Sequence, residues 1–248
     1  MQTRVLLALL ISVATTMAGE LPSAEWPQFL GPARNGFYGG LDVAETWASN
    51  GPPVIWQKAV GHGFSAPVVA DHKLILFHRL DDKETVECLD ARIGSPIWSF
   101  AYPTRYQDEF GFDDGPRATP TIAGGRVYTF GAEGMLHCLD FESGKALWSV
   151  DVKADFQAPN GFFGMACSPL VEGDGVLLNI GGAKGADMVA FHRTTGKLLW
   201  KASDDEASYA SPAAATIGGQ RYALPPLNPY QFRLSIPPAN TPFQPLIP

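Results

Sequence analysis

Four carboxylates stand within seven residues of the stretch "YQDEFGFDDGPR" (106–117): Asp108, Glu109, Asp113 and Asp114. Oxygen ligands at that density suit Ca²⁺, yet the D-x-D-x-D-G spacing of a calcium loop is absent. A solvated loop shaped by Gly111 and Gly115 accounts for the same residues, with Arg117 pairing one acid across the loop base. A second acidic, aromatic stretch, "DDEASY" (204–209), offers the same two readings. His62, His72, His78, His137 and His192 share no metal-ligand spacing. Cys88, Cys138 and Cys167 lack C-x-x-C or C-x-x-H spacing and read as buried free thiols. G-x-S-x-G is missing, and "GGAKGA" (181–186) has no Ser or Thr after Lys184, so it reads as a hairpin turn rather than a phosphate loop. The loop acids are therefore the candidate site, and no catalytic residue or metal ligand set is expected.

The elements that position those loops recur along the chain. A small residue before Pro opens each unit: "SAP" (65–67), "ATP" (118–120), "CSP" (167–169) and "ASP" (210–212). Tight-turn pairs follow four positions after the first three prolines, Asp71-His72, Gly124-Gly125 and Gly173-Asp174, each between two apolar strands. A third strand then leads into a Gly-centred turn and a fourth strand carrying Trp98, Trp148 or Trp200. Pro-to-Trp distances are 31, 28 and 31 residues, and the prolines recur every 43 to 53 residues. Four strands at that period make a β-propeller blade. The expected fold is all-β, a partial propeller of about three and a half four-stranded blades over residues 54–224. Asp90 and Asp140 end their third strands as Asx turns, Gly94, Gly144 and Gly196 close the turns with a left-handed residue, and the tryptophans pack on neighbouring blades.

Composition agrees: 46% hydrophobic, 17% charged, 26 Gly and 21 Pro suit short strands and tight turns. Arg4, the apolar run of 5–14 and the small residues ending at Ala18 read as a secretory signal peptide over residues 1–18, with residues 19–53 a lead-in. The expectation is a periplasmic or secreted protein without a membrane anchor. Cleavage removes one Arg and no acid, leaving the chain more negative than its formal −7, which argues against nucleic acid as partner.

"CLDFESGKALW" (138–148) resembles the tryptophan-docking motif of pyrroloquinoline-quinone (PQQ) repeat propellers, through Cys138, Asp140, Ser143, Gly144, Lys145 and Trp148. The first copy keeps Asp90, Gly94 and Trp98 but has Ile93 and Ser95; the third keeps Thr195, Gly196, Lys197 and Trp200 but has His192 for Asp. "EWPQFLGPARNG" (25–36) and residues 115–140 are also similar to secreted bacterial proteins with PQQ-like repeats. The resemblance implies a closed propeller of about seven or eight blades. In the family's dehydrogenases it further implies PQQ over a tryptophan floor, with Ca²⁺ held by acidic and amide side chains, a catalytic Asp and often a vicinal cysteine pair. No adjacent cysteines occur here, and no residue set matches those ligands. The expectation is thus no cofactor, and a non-catalytic interaction or scaffold module similar to the propeller lipoprotein of outer-membrane barrel assembly, minus its lipid-attachment Cys. The alternative is a fragment of a PQQ- and Ca²⁺-dependent dehydrogenase.

The repeat stops inside its fourth unit, "ASYASPAAATIGGQRYAL" (207–224). The following 24 residues, 225–248, hold eight prolines and one charge, and read as a disordered tail. Three explanations stand: a frameshift or early stop in a longer gene, a short protein completed by self-association or a partner protein, or a proline-rich linker.

Overall fold

The computed structural model describes residues 25–40, 44–202, 209–217 and 219–224. The expected signal peptide, the proline-rich stretch and residues 204–208 of the second acidic stretch lie outside the described residues. Three antiparallel sheets of four strands follow one another in chain order. The first holds β1 (Val68–Ala70), β2 (Lys73–Leu80), β3 (Lys83–Asp90) and β4 (Pro96–Pro103). The second holds β5 (Thr121–Ala123), β6 (Arg126–Phe130), β7 (Met135–Asp140) and β8 (Ala146–Asp151). The third holds β9 (Leu170–Glu172), β10 (Gly175–Gly182), β11 (Ala186–His192) and β12 (Leu198–Ala202). β13 (Ala213–Ile217) and β14 (Gln220–Leu224) pair as half of a fourth. This is the partial propeller of three and a half blades.

Local rules explain the strand pairing. Asp71 and His72 both take left-handed φ (45° and 59°), as do Gly124 and Gly125 (56° and 71°), so the first two strands of the first and second blades are joined by turns that match strand twist. A register shift recurs at the end of each third strand, between Cys88 and Leu89, Cys138 and Leu139, and Ala190 and Phe191. The bulge bends the strand into the Gly turn at the same place each time. One element departs from the all-β expectation. Asp151 ends β8 and caps a five-residue helix, α1 (Val152–Phe156), its Oδ1 accepting from the Ala154 N–H at 2.9 Å.

Each core straddles two blades, because strand residues alternate between faces. In β6 and β7, Val127 and Leu139 join Val68, Ile75, Phe77 and Val86 of the first blade. Their alternates Tyr128, Phe130, Leu136 and Cys138 join Val176, Leu178, Ile180 and Phe191 of the third. Leu170, Leu177 and Met188 then meet Ala223 of β14. Fourth strands bury far less: β4 and β8 alternate only between exposed and half-buried. The lead-in crosses the inner edges. Trp26 exchanges backbone hydrogen bonds with Val69 (2.8 and 2.9 Å), Pro27 O accepts from Ile122 N–H, and Arg34 Nη1 donates to Pro169 O at 3.1 Å. Burial lowers the Arg34 guanidinium to about 10.

Candidate functional site

At the blade edges, one contact is repeated. Trp98 Nε1 donates to Phe141 O at 3.0 Å and Trp148 Nε1 to Arg193 O at 3.2 Å, each acceptor lying just after the Asp140 or His192 that ends its third strand. Gly144 and Gly196, both at φ 69°, lie under those rings; a Cβ at Gly196 would stand 2.8 Å from the Trp148 ring, and one at Gly144 would overlap Trp98 more closely still. Gly94 (φ 70°) shows the same geometry toward Trp56, whose Nε1 donates to Ala91 O at 3.0 Å. Each tryptophan therefore seats on the turn of the blade that follows it. Asp140 Oδ1 accepts from Ser143 N–H (2.8 Å) and Oγ–H (2.6 Å), which lowers its carboxyl below the ordinary range; Arg92 does the same for Asp90. His192 Nδ1 accepts from Thr194 N–H at 3.2 Å in the third turn. Trp200 lies opposite Ala190 and packs with Leu170, Leu177 and Met188.

The acidic loop is held mainly from within. Asp108 is buried; its Oδ1 accepts from Phe110 N–H at 2.8 Å and its Oδ2 from Arg117 Nη2 at 2.6 Å. Asp114 Oδ1 accepts from Asp108 N–H, and Asp113 Oδ1 from Gly115 N–H. Arg117 also donates to the carbonyls of Gly115 and Asp113, and its guanidinium lies 4.5 Å from the Tyr106 ring centre. Glu109 points to solvent. Three of the four acids thus shape the loop and do not converge on a common point.

What the loop frames is a cavity of about 410 Å³, lined by Phe64, Asp108, Phe112, Arg117, Phe163, Ala166 and Tyr209. Phe64, Arg117, Ala166 and Tyr209 share one place in the repeat, three residues before Pro67, Pro120, Pro169 and Pro212. The cavity therefore sits where the inner strands of four successive units begin. Its rim is aromatic: Phe110 stacks on Phe162 with centres 4.8 Å apart, and Phe163 meets Tyr209 at 5.3 Å. Tyr209 Oη accepts from Phe162 N–H at 2.7 Å, tying the 157–164 loop to the fourth unit. Phe112 is 68% exposed and Phe162 64%, large apolar surfaces left in water.

Two sets of residues carry more than their sequence suggested. Trp56 seats like the other tryptophans, and "VIWQ" (54–57) matches "PIWS" and "ALWS" once the fourth-strand pattern is known. Phe162 and Phe163 lie in "NGFFG" (160–164), where two adjacent phenylalanines between glycines were a signal for exposure.

Comparison with known proteins places this geometry. The quinoprotein alcohol dehydrogenase PedH of Pseudomonas putida is 28% identical over 127 residues, 49% of this chain and 19% of that enzyme. The quinohemoprotein alcohol dehydrogenase from Comamonas testosteroni matches with a TM-score of 0.50 at 22% identity, over 71% of this chain and 27% of that one. BamB from Moraxella catarrhalis gives 0.39 at 20% identity, over 66% and 42%. The chain spans less than half the length of each. The dehydrogenases' names imply a quinone for those enzymes, and Asp108, Asp113 and Asp114 of this mouth are not gathered around a space for one. The carboxylates of the mouth are engaged by Arg117 and by backbone N–H groups, and no three His, Cys, Asp or Glu side chains gather among the described residues. Residues 82–226, more than half of the chain, match the PQQ-repeat family model described as outer membrane protein assembly factor BamB. With its repeated strands, bulges and seated tryptophans, the chain belongs to this family of PQQ-like repeat β-propellers.

Proposed function

We propose that this chain is an exported, non-catalytic interaction module whose aromatic mouth receives apolar side chains of a protein partner. The observation that carries the reading is the rim itself. Phe110, Phe112, Phe162, Phe163 and Tyr209 stand exposed together, around a cavity whose one ion pair, Asp108 with Arg117, is already satisfied. Exposed aromatic surface over a rigid, internally neutralised floor favours macromolecular contact over turnover of a charged substrate. Kinship with the BamB family model supports the scaffold role, and the apolar N-terminal run supports export.

The dehydrogenase kinship gives the second reading, a fragment of a PQQ- and Ca²⁺-dependent enzyme. One pair of experiments separates them. Proteins of the exported fraction are captured on the immobilised chain and on a Phe112→Ser/Phe162→Ser variant, with thermal unfolding of both recorded. The first reading expects defined proteins lost with the variant while its unfolding is unchanged. Identical capture by both chains overturns it. Dye reduction by the chain on adding PQQ, Ca²⁺ and an alcohol establishes the second.

A further inference from the structure

The two lips of the mouth differ in charge. One, residues 106–117, carries Asp108, Glu109, Asp113 and Asp114 against a single cation, Arg117. The other, residues 157–164, has no ionisable side chain and presents Phe162 and Phe163. The lips touch where Phe110 stacks on Phe162 and where Phe112 meets Phe163, their ring centres 6.1 Å apart. Exposed rings therefore lie between an acidic side and an uncharged one.

Hydrogen bonding leaves most of that charge in place. Asp108 is cancelled, since its carboxylate pairs with Arg117 and neither side chain is more than 6% exposed. Asp113 and Asp114 accept from the backbone N–H groups of Gly115 and Asp108, neutral donors that orient the carboxylates without discharging them. Glu109 is exposed, and the exposed His62 approaches Asp113 Oδ2 at 3.4 Å. Two more cations lie close by. Arg79 of β2 donates to the carbonyls of Tyr106 and Asp114, and Arg105 has Glu133 accepting from its backbone N–H. Even with Arg79 set against one of the three remaining acids, the lip stays negative.

We propose that the partner segment received by the mouth is basic as well as apolar: a large apolar side chain enters the cavity, and a Lys or Arg close to it in the partner's chain lies along residues 109–114. The inference rests on the reading of the mouth as a protein-docking surface and adds the partner's charge to it. Three effects act together. The apolar side chain covers Phe112 and Phe162, surfaces otherwise left in water. The cation meets Glu109, Asp113 and Asp114 beside rings that exclude water, where attraction is stronger than in open solvent. A cation over an exposed phenyl face is attracted further by the ring quadrupole. An acidic segment with the same apolar residue meets like charge on that lip, so the mouth selects between partners of equal hydrophobicity.

The test is a titration of the chain with end-blocked peptides, read from the amide resonances of residues 106–117 and 157–164. Lys-Lys-Phe-Lys-Lys is compared with Gln-Gln-Phe-Gln-Gln and Glu-Glu-Phe-Glu-Glu, in low salt and again in high salt. The lysine peptide is expected to bind at the mouth about tenfold more tightly than the glutamine peptide, to lose that advantage in high salt, and to exceed the glutamate peptide by more. The triple variant Glu109→Gln/Asp113→Asn/Asp114→Asn removes the charge while each amide keeps an acceptor oxygen. It is expected to unfold like the parent and to bind the lysine peptide no better than the glutamine one. Should the variant not fold, the salt series on the parent chain still decides. Equal binding of the three peptides overturns the inference and leaves a docking surface indifferent to charge. A lysine preference that persists in the folded variant or in high salt overturns it, as does a lysine peptide that moves no resonance of the mouth. The docking reading itself is decided separately, by capture on the Phe112→Ser/Phe162→Ser chain.

Discussion

At the outer turns three successive blades carry the same residue, Gly94, Gly144 and Gly196, beneath Trp56, Trp98 and Trp148. At the mouth the equivalent place in four successive units holds Phe64, Arg117, Ala166 and Tyr209. One repeat builds both regions, yet only the first is uniform. The difference is mechanical. A left-handed turn lying under an indole ring leaves no volume for a Cβ, so every copy needs glycine. The inner strand begins at the cavity, where side chains as different as Arg117 and Ala166 are accommodated. The uniform position holds the scaffold together, and the varied one gives the mouth its chemistry.

The mouth nevertheless has a rigid floor, and the largest effect should show it. Asp108→Ala leaves Arg117 buried without its carboxylate and is expected to cost about 4 kcal/mol by urea denaturation. A cost no greater than that of a rim substitution would mean the whole mouth is free to vary. Next come paired glycine variants, which separate backbone strain from ring contact. Gly173 has a left-handed φ of 56° with nothing near its missing Cβ, so Gly173→Ala should cost about 1 kcal/mol. Gly144→Ala adds the collision with Trp98 and should cost about 3 kcal/mol. Equal losses would remove the steric argument for uniformity.

A smaller effect probes the seam between the first two blades through pH. His137 is buried against Phe100 and Tyr102, and burial lowers its imidazole to about 4. Its folded value lies below the unfolded one, so its contribution is complete above the unfolded range and is lost as pH falls toward 4. Between pH 7 and 5 this should remove about 2 kcal/mol, a loss that His137→Phe abolishes. Glu84, on the same seam, works in the opposite sense. Its carboxyl is raised by burial, and its contribution is greatest at low pH and declines as pH rises. The difference between parent and His137→Phe curves isolates the histidine. The smallest effect belongs to the rim, where Phe112→Ser should change stability by less than about 0.5 kcal/mol. A larger loss would make the rim part of the scaffold.

The uniform region was readable from the sequence and the varied one only in part. Gly94, Gly144 and Gly196 stand out because the same steric demand recurs in register, and the hairpin pairs announce their turns by composition. Trp56 escaped because it precedes Pro67, the Pro that opens the first recognised unit. At the mouth, the pairing of Arg117 with an acid of its loop was foreseeable from proximity. The convergence of Phe64, Phe163 and Tyr209 was not, since residues separated by one to three repeat lengths meet only once blades stack around an axis. The acid cluster allowed two readings, oxygen ligands or a solvated loop, because spacing cannot show which oxygens backbone amides and Arg117 engage.

Each of these three indoles precedes in the chain the turn it covers: Trp56 before Gly94, Trp98 before Gly144, Trp148 before Gly196. A polypeptide made from its N-terminus therefore displays each ring before the segment that will rest on it has been synthesised. Folding in the reverse direction would leave every new turn waiting for a ring still to come. The order of ring and turn thus gives the arc a one-way ratchet, in which each finished blade is the mould for the next.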